Sequence, residues 1–399
     1  MRVTRLFGKT LRQAPADAET ISHQYLARGG FIQQVAAGIY SYLPLGWRSL
    51  QKISNIIRDE MDRAGAQEVS MPVVQPRELW EQSGRADTFV PPLATFTDRR
   101  DRKMIIAPTH EETMTYMVAA NLYSYRDLPF TLYQIQTKYR DEERPRAGLL
   151  RVREFEMKDA YSFDKDEDGL GKSFDAMAEA YQRIYSRCGI NVVMVDADSG
   201  AIGGKDSNEF ILLAESGEDT VLICDACGYA ANSEKAIFVK PEPELADEEP
   251  GELEEVATPG VKTIAGLVEF LGVPESKTVK AVFYAGAEGE IVIASIRGDL
   301  EVNETKLRNA LGGVEPRLAT PEEVKAAGLV AGSASALGLD APDGPRARGV
   351  KVRSVVDDSL VNARNLVAGA NKDGYHVKNA DLDRDIPTDL VTDIALAPA

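Results

Sequence analysis

Residues 139–163 read YRDEERPRAGLLRVREFEMKDAYSF. The whole chain carries a formal net charge of −17, yet residues 144–153 hold four arginines and no acid. Short segments mixing apolar and charged residues flank ERPRAG, so the pattern predicts strand, turn and strand. Side chains two apart on a strand share a face. Arg140 and Glu142 are therefore expected to point one way, and Arg151 and Phe155, four apart, to share a face too. A guanidinium fork suits phosphate oxygens, a carboxylate accepts from an exocyclic amine, and an aromatic ring stacks on a purine. Such groups make a nucleotide site without a glycine-rich phosphate loop. A hairpin laced with exposed ion pairs, each worth about 0–1 kcal/mol, fits the spacing alone equally well.

Outward from this stretch, FTLYQIQTKYR alternates as the strand leading into it, and a helix is expected between Asp164 and Cys188. Upstream, PADAETISHQYLARGG reads as a helix with Asp17 as N-cap and Gly29-Gly30 as its stop. In GWRSLQKISNIIRDEMDRAGA, Trp47, Leu50, Ile53, Ile57 and Met61 recur at helical spacing and end at Gly65. QEVSMPVVQP reads as a short strand, and Pro72 within it, lacking a ladder donor, places it at an edge or interface. Strands follow near NVVMV, EFILLA and TVLIC.

At residues 239–256, VKPEPELADEEPGELEEV holds eight acids and three prolines, a composition that reads as a solvated linker. Beyond it KTIAGLVEFLG reads as a helix, and KTVKAVFYA with EIVIASIRG as a hairpin. Helical patterns at 303–311 and 321–327 and a strand at VKVRSVV complete a second α/β unit. The expected division is 1–238, a linker over 239–259, and 260–399.

At 399 residues, more than one domain is expected. No apolar run approaches the roughly 18 residues of a membrane helix, and the N-terminus lacks the apolar core of an export signal. Three cysteines suit a reducing compartment. The reading is a cytoplasmic protein with no membrane partner. The acidic balance argues against nonspecific nucleic-acid binding and against a DNA partner, while leaving room for a local basic groove.

YRDE, a loop, and RVREFEMKD resemble motif 2 of the class II aminoacyl-tRNA synthetases, and AGAQEVSMPVVQP resembles motif 1. ISHQYLARGGFIQQVAAGIYSYLPLGWR, APTHEE, the opening stretch and SGAIGGKDSNEF resemble the bacterial type of prolyl-tRNA synthetase, continuously from the N-terminus to beyond residue 390. The resemblance implies an α/β (α+β) fold: an antiparallel-sheet catalytic core with an inserted α/β editing domain similar to stand-alone aminoacyl-tRNA deacylases. It implies a ligase that uses ATP with Mg²⁺, acts on proline and tRNA(Pro), and forms a homodimer through Pro72. By the same resemblance Arg140 would hold the α-phosphate and substrate carboxylate, Glu142 would read the adenine amino group, Phe155 would stack on the ring and Arg151 would reach the γ-phosphate. Arg140 and Arg151 are thus the implied catalytic pair. Thr109 and Glu111 would bind the imino group, with Met157, Asp159 and Tyr161 lining the pocket beside Arg140. One departure is Asn208, where relatives usually carry histidine before Glu-Phe. Gly203-Gly204 alone would be an ordinary turn.

Residues from about Lys262 to Asp385 resemble the insertion that hydrolyses mischarged alanyl-tRNA, a double sieve needed because a proline pocket cannot exclude a smaller amino acid by size. Lys280, Asp357 and His376 stand at the implied editing positions, although a surface lysine and a strand-end histidine are equally ordinary. Counting from Gly332 in GSASALGLDAP, Ala336 stands where relatives carry proline. Cys224 and Cys227 supply two of the four ligands a structural zinc needs, so a thiol pair without metal is expected. No Gly-x-Gly-x-x-Arg of motif 3 occurs in the sequence, nor does an anticodon-binding domain follow. The expectation is an N-terminal part that activates proline poorly alone. An editing-only hydrolase and a noncatalytic paralogue are the other readings, the last disfavoured by intact Arg140, Glu142, Arg151 and Phe155.

Overall fold

The computed structural model describes residues 2–89, 91–199, 207–215, 217, 219–241, 248–382 and 384–398. The chain divides into two compact units, Met1–Val192 and Val193–Ala399. Among the described residues no helix is long and apolar enough to cross a membrane.

The first unit opens with α1 (Ile21–Arg28), capped by Thr20, whose hydroxyl accepts from the His23 amide at 3.4 Å. The cap is therefore Thr20 and not Asp17, because a cap must sit directly before the first helical turn. A hairpin of β1 (Ile32–Ala36) and β2 (Ile39–Tyr42) leads to α2 (Pro44–Arg63), with proline at its first position. The single strand expected around Pro72 is instead two, β3 (Gln67–Glu68) and β4 (Val74–Pro76), with the proline exposed between them. Then come α3 (Arg77–Gln82), β5 (Thr95–Thr97), β6 (Lys103–Ile106) and α4 (Glu111–Asn121). β7 (Phe130–Tyr139) and β8 (Glu154–Phe163) form an unbroken antiparallel ladder from Phe130 opposite Phe163 to Tyr139 opposite Glu154. β3 joins β7 in parallel, and α5 (Glu167–Arg187), capped by Asp166, closes the unit.

Alternation along β7 and β8 gives the ladder two distinct faces. Tyr133 and Ala160 pack on Ile57 and Met61 of α2 and on Met177 and Tyr181 of α5. Arg183 and Arg187 of α5 clamp the buried Glu60 of α2 at 2.7 and 2.8 Å. The other face carries Gln134, Gln136 and Lys138 opposite Asp159, Met157 and Phe155.

The second unit begins with a four-stranded sheet of β9 (Val193–Asp196), β10 (Asn208–Ile211), β11 (Val221–Ile223) and β12 (Ala230–Asn232). The acidic segment is less free than its composition suggests. β13 (Glu254–Ala257) pairs within a sheet, Glu248 bonds Lys277 and Asn365, and Lys240 reaches Asp357 and Asp393 at 2.9 and 2.8 Å. Next in order are α6 (Ile264–Leu271), β14 (Val279–Ala285), β15 (Ile291–Arg297), α7 (Glu304–Ala310), β16 (Arg317–Leu318), α8 (Pro321–Ala326), β17 (Val352–Asp357), β18 (Leu366–Gly369), β19 (Tyr375–Ala380) and β20 (Leu390–Thr392). A mixed sheet ordered β16-β14-β15-β17-β20 carries the core on both faces. Ile291 and Ile293 pack with Leu366 and Val377, while Val292 and Ala294 pack with Leu307 of α7 and Leu311 just after it. β15 is buried along its whole length, as its nearly continuous apolar run requires.

Candidate active site

The ladder stops at Tyr139 and Glu154, so Arg140, Glu142 and Arg151 stand beyond regular strand. Period-two alternation does not set their directions, contrary to the strand reading. The connecting loop is shaped by Pro145 and by left-handed backbone at Ala147 and Gly148 (φ +58° and +65°). It is pressed from outside by the β1–β2 turn. Arg153 donates its amide to the Gly38 carbonyl at 2.8 Å, and a Cβ at Gly38 would lie 2.7 Å from Pro145.

Within this loop Arg151 Nε and Nη2 each approach Glu142 Oε2 at 3.0 Å, and Arg153 donates to the Glu142 carbonyl at 2.9 Å. Arg140 points elsewhere. Its guanidinium lies over the Phe155 ring, 5.5 Å from the centroid, and its buried Nε has no protein acceptor. Desolvation pulls its pKa below the ordinary arginine value, yet guanidinium stays charged in proteins. A buried cationic donor lacking an acceptor fits an anionic ligand, the phosphate or carboxylate chemistry expected of it.

Further along the same face sits a hydrogen-bonded group of polar side chains. Asp159 Oδ2 accepts from Gln134 Nε2 at 3.0 Å and from the Tyr161 hydroxyl at 2.6 Å. Burial, with the hydrogen bond to Asp159 next, raises the Tyr161 pKa, so the hydroxyl keeps its proton. Lys138, with no exposed surface, lies 2.9 Å from Asp159 Oδ1. Thr109 and His110 are buried at the start of α4, and the side chain of Glu111 is about one-third exposed. Arg85 approaches Glu111 at 3.5 Å and Glu112 at 2.9 Å. Acidic residues in a first helical turn also suit the helix dipole. Thus Met157, Asp159 and Tyr161 fall on one face of one ladder, with Arg140 just past its end and Thr109 and Glu111 at the entry to α4. Lys138, Gln134 and Arg85 were missed as site residues, although Gln134 and Lys138 share one alternating face of β7 and period two within that strand could have found them.

In the second unit a cavity of about 110 Å³ is lined by Lys262, Lys280, Gly332, Ser333, Gly369 and His376, among others. Thr258 Oγ1 and His376 Nδ1 are 2.6 Å apart, and burial lowers the His376 pKa, which favours the neutral ring. Lys280 contributes to the wall, but its ammonium turns to the Leu300 carbonyl at 2.7 Å and the Glu301 carboxylate at 2.6 Å. Asp357 is absent from this lining. Fully buried, it accepts from Lys240 and from the amides of Ser359 and Ile394, which makes it part of the scaffold. Ala336 is packed into the core, while Gly332 to Ala334 form the cavity rim. Asn208, at the start of β10, spends its amide on Val195 and Asp196 at 3.2 and 2.9 Å. Gly203-Gly204 lie outside the described residues. Among those described, the three acids Asp357, Asp358 and Asp393 could together hold a metal, but the Lys240 ammonium binds all three.

Residues 95–317 match the family model of the tRNA synthetase class II core domain (G, H, P, S and T), and residues 258–385 match that of the aminoacyl-tRNA editing domain. The chain thus combines a class II synthetase core with an aminoacyl-tRNA editing domain. The proline–tRNA ligase of Dehalococcoides mccartyi is 55% identical over 397 residues, covering 100% of this chain and 68% of its own length. Those of Salinispora tropica and Thermotoga maritima are 47% and 48% identical, with 66% and 65% of their lengths covered by 100% and 98% of this chain. The chain belongs to the proline–tRNA ligase family.

Proposed function

We propose that the first unit binds ATP and proline for adenylate formation and transfer to tRNA(Pro), and that the cavity of the second hydrolyses Ala-tRNA(Pro). In activation, a proline carboxylate oxygen bonds to the α-phosphorus as the bond to the β-phosphate bridging oxygen breaks, releasing pyrophosphate. Both reactants are anionic, so positioning and charge neutralisation can carry most of the rate without an acid–base pair. The observation that carries this reading is the charge order along one face of the β7–β8 ladder. Arg140, with its buried free donor, lies just past the Tyr139–Glu154 end, Asp159 and Tyr161 lie further along the face, and the Thr109–Glu111 segment borders it through contact of His110 with Lys138. That order complements a zwitterionic amino acid, its carboxylate towards Arg140 and its secondary ammonium towards Glu111.

Phe155 would stack on adenine, Glu142 would accept from its amino group and Arg151 would meet the γ-phosphate. The last two must first exchange their mutual ion pair for the nucleotide. Mg²⁺, when bound, supplies charge neutralisation on the phosphates. The residues here fit an ion carried mainly by nucleotide oxygens, since the only acidic trio found among the described residues is filled by Lys240. The exposed Pro72 and Val74 suit a homodimer contact through motif 1, and the enzyme would work in the cytoplasm.

Proline-dependent exchange of pyrophosphate into ATP, abolished by Arg140→Ala, is the decisive assay. A second reading, hydrolytic editing alone, is favoured by the cavity of the second unit, lined by Lys280 and His376. Alanine release from Ala-tRNA(Pro) that needs neither ATP nor Arg140, together with absent exchange, would select it.

A further inference from the structure

The amino-acid pocket contains one more buried charge than recognition of a zwitterion requires. Lys138 has no exposed surface, and a buried ammonium is strongly unfavourable unless paired and hydrogen-bonded. Its Nζ reaches Asp159 Oδ1 at 2.9 Å and also contacts His110 Nδ1. An ammonium only donates, so His110 Nδ1 must accept, and the ring proton sits on Nε2. That proton is donated to the Pro72 carbonyl oxygen at 3.0 Å. Burial, then the Lys138 charge, holds the His110 pKa low, in keeping with a neutral ring. On the opposite side, Gln134 bridges Asp159 to the Met71 amide, donating at 3.0 Å and accepting at 3.2 Å. One ammonium therefore joins three separate segments: Met71-Pro72, the turn into α4, and the β7–β8 face. Burial pulls the Lys138 pKa below the ordinary lysine value, opposed by Asp159 and Glu111, which favour the ammonium.

We infer that Lys138 is a positioning residue of the amino-acid pocket, neutralising Asp159 and, through an Nε2-protonated His110, holding the Thr109–Glu111 segment against β8. This rests on the proline-binding reading above. It leaves Glu111 as the anion that meets the substrate ammonium, while Asp159 serves as an oriented acceptor for Tyr161 and Gln134. Removal of Lys138 alone leaves Asp159 as an uncompensated buried carboxylate. Removal of both charges restores the balance.

Two measurements on the full chain test this. Long-range ¹H–¹⁵N NMR of histidine-labelled wild-type protein at pH 7 should show His110 protonated at Nε2 only. A Nδ1-protonated or doubly protonated ring overturns the inference, and this measurement needs no variant to fold. Calorimetric titration with proline should show Lys138→Met weakening binding by about tenfold or more, as for loss of a charged hydrogen bond. Lys138→Met/Asp159→Asn should bind within about threefold of Asp159→Asn alone, because the two changes are coupled. Wild-type affinity in Lys138→Met, or simple additivity in the double variant, overturns it. If the wild-type chain binds no proline, the functional reading fails, while the His110 tautomer still decides the role of Lys138.

Discussion

The Arg140 guanidinium rests on the face of Phe155, 5.5 Å from the ring centroid, two residues past the Lys138 that stands in register opposite that phenylalanine. Glu142 is engaged by Arg151. Arg140 is thus presented with its Nε donor free. Arg140→Ala should weaken MgATP binding by roughly 10–100-fold, the equivalent of one or two charge-assisted hydrogen bonds. Nucleotide titration monitored by fluorescence checks this, and an unchanged affinity would remove Arg140 from the site.

Glu60 joins α2 to α5 through two arginines, and its hydrogen bond to Arg183, then that to Arg187, lowers its pKa from the ordinary 4.5. A lowered folded-state pKa means that the stabilisation is fully present above the unfolded value and is lost as pH falls through the folded one. Glu60→Gln should therefore be less stable than wild type at pH 7, with the gap closing below about pH 4.5. Urea midpoints from pH 7 to pH 3 measure it, and a constant gap would refute the assignment.

Lys158, on the opposite face of the ladder from Lys138, has its pKa pushed down by burial to about 8. Its ammonium lies 4.1 Å from the Tyr181 ring centroid. A lysine with a lowered folded-state pKa penalises the fold while charged, and the penalty is relieved as pH rises from the folded towards the unfolded value. Lys158→Met should be more stable than wild type at pH 7, and the difference should shrink between pH 8 and pH 10. A difference that grows over this range contradicts the prediction.

His376 and Asp357 should separate by phenotype. His376→Ala should abolish alanine release from Ala-tRNA(Pro) while leaving the melting temperature close to wild type. Asp357→Ala removes a fully buried carboxylate that holds Lys240 and two amides. It should cost about 3 kcal/mol of stability without changing hydrolysis per folded molecule. Calorimetry beside the deacylation assay distinguishes them, and the reversed pattern would exchange their roles.

Cys224 should alkylate faster than Cys188 at pH 7. Hydrogen bonds from the backbone of Cys227 and Ala226 stabilise its thiolate and lower its pKa. Mass-spectrometric rates with iodoacetamide test the order, and equal rates would exclude an activated thiol.

The local features most legible in the sequence were those with a strong period or breaker. The ladder strand FTLYQIQTKY, the helix stopping at Gly65 and the β14–β15 hairpin all follow from hydrophobic spacing and turn residues. Failures occurred where a distant contact outweighed that pattern. Arg140 and Arg151 lie off the strands in a loop whose backbone is left-handed at Ala147 and Gly148 and whose Pro145 and Arg153 pack against Gly38. Most described residues of the acidic segment are exposed, as its composition suggests, but composition does not reveal that Lys240 meets three aspartates more than a hundred residues away. Asp357 stood at an implied pocket position, yet its carboxylate is consumed by the scaffold.

Turn residues, helical spacing and motif residues act over a few neighbours, so the family and most of the elements were legible along the chain. Which charged side chains remain available for ligands depended on contacts between distant segments. Arg140 keeps a free donor, Arg151 and Glu142 satisfy one another, and Lys138 is bound between Asp159 and a histidine 28 residues away in sequence. Those choices depend on desolvation and on distances of about 3 Å between segments that only folding brings together.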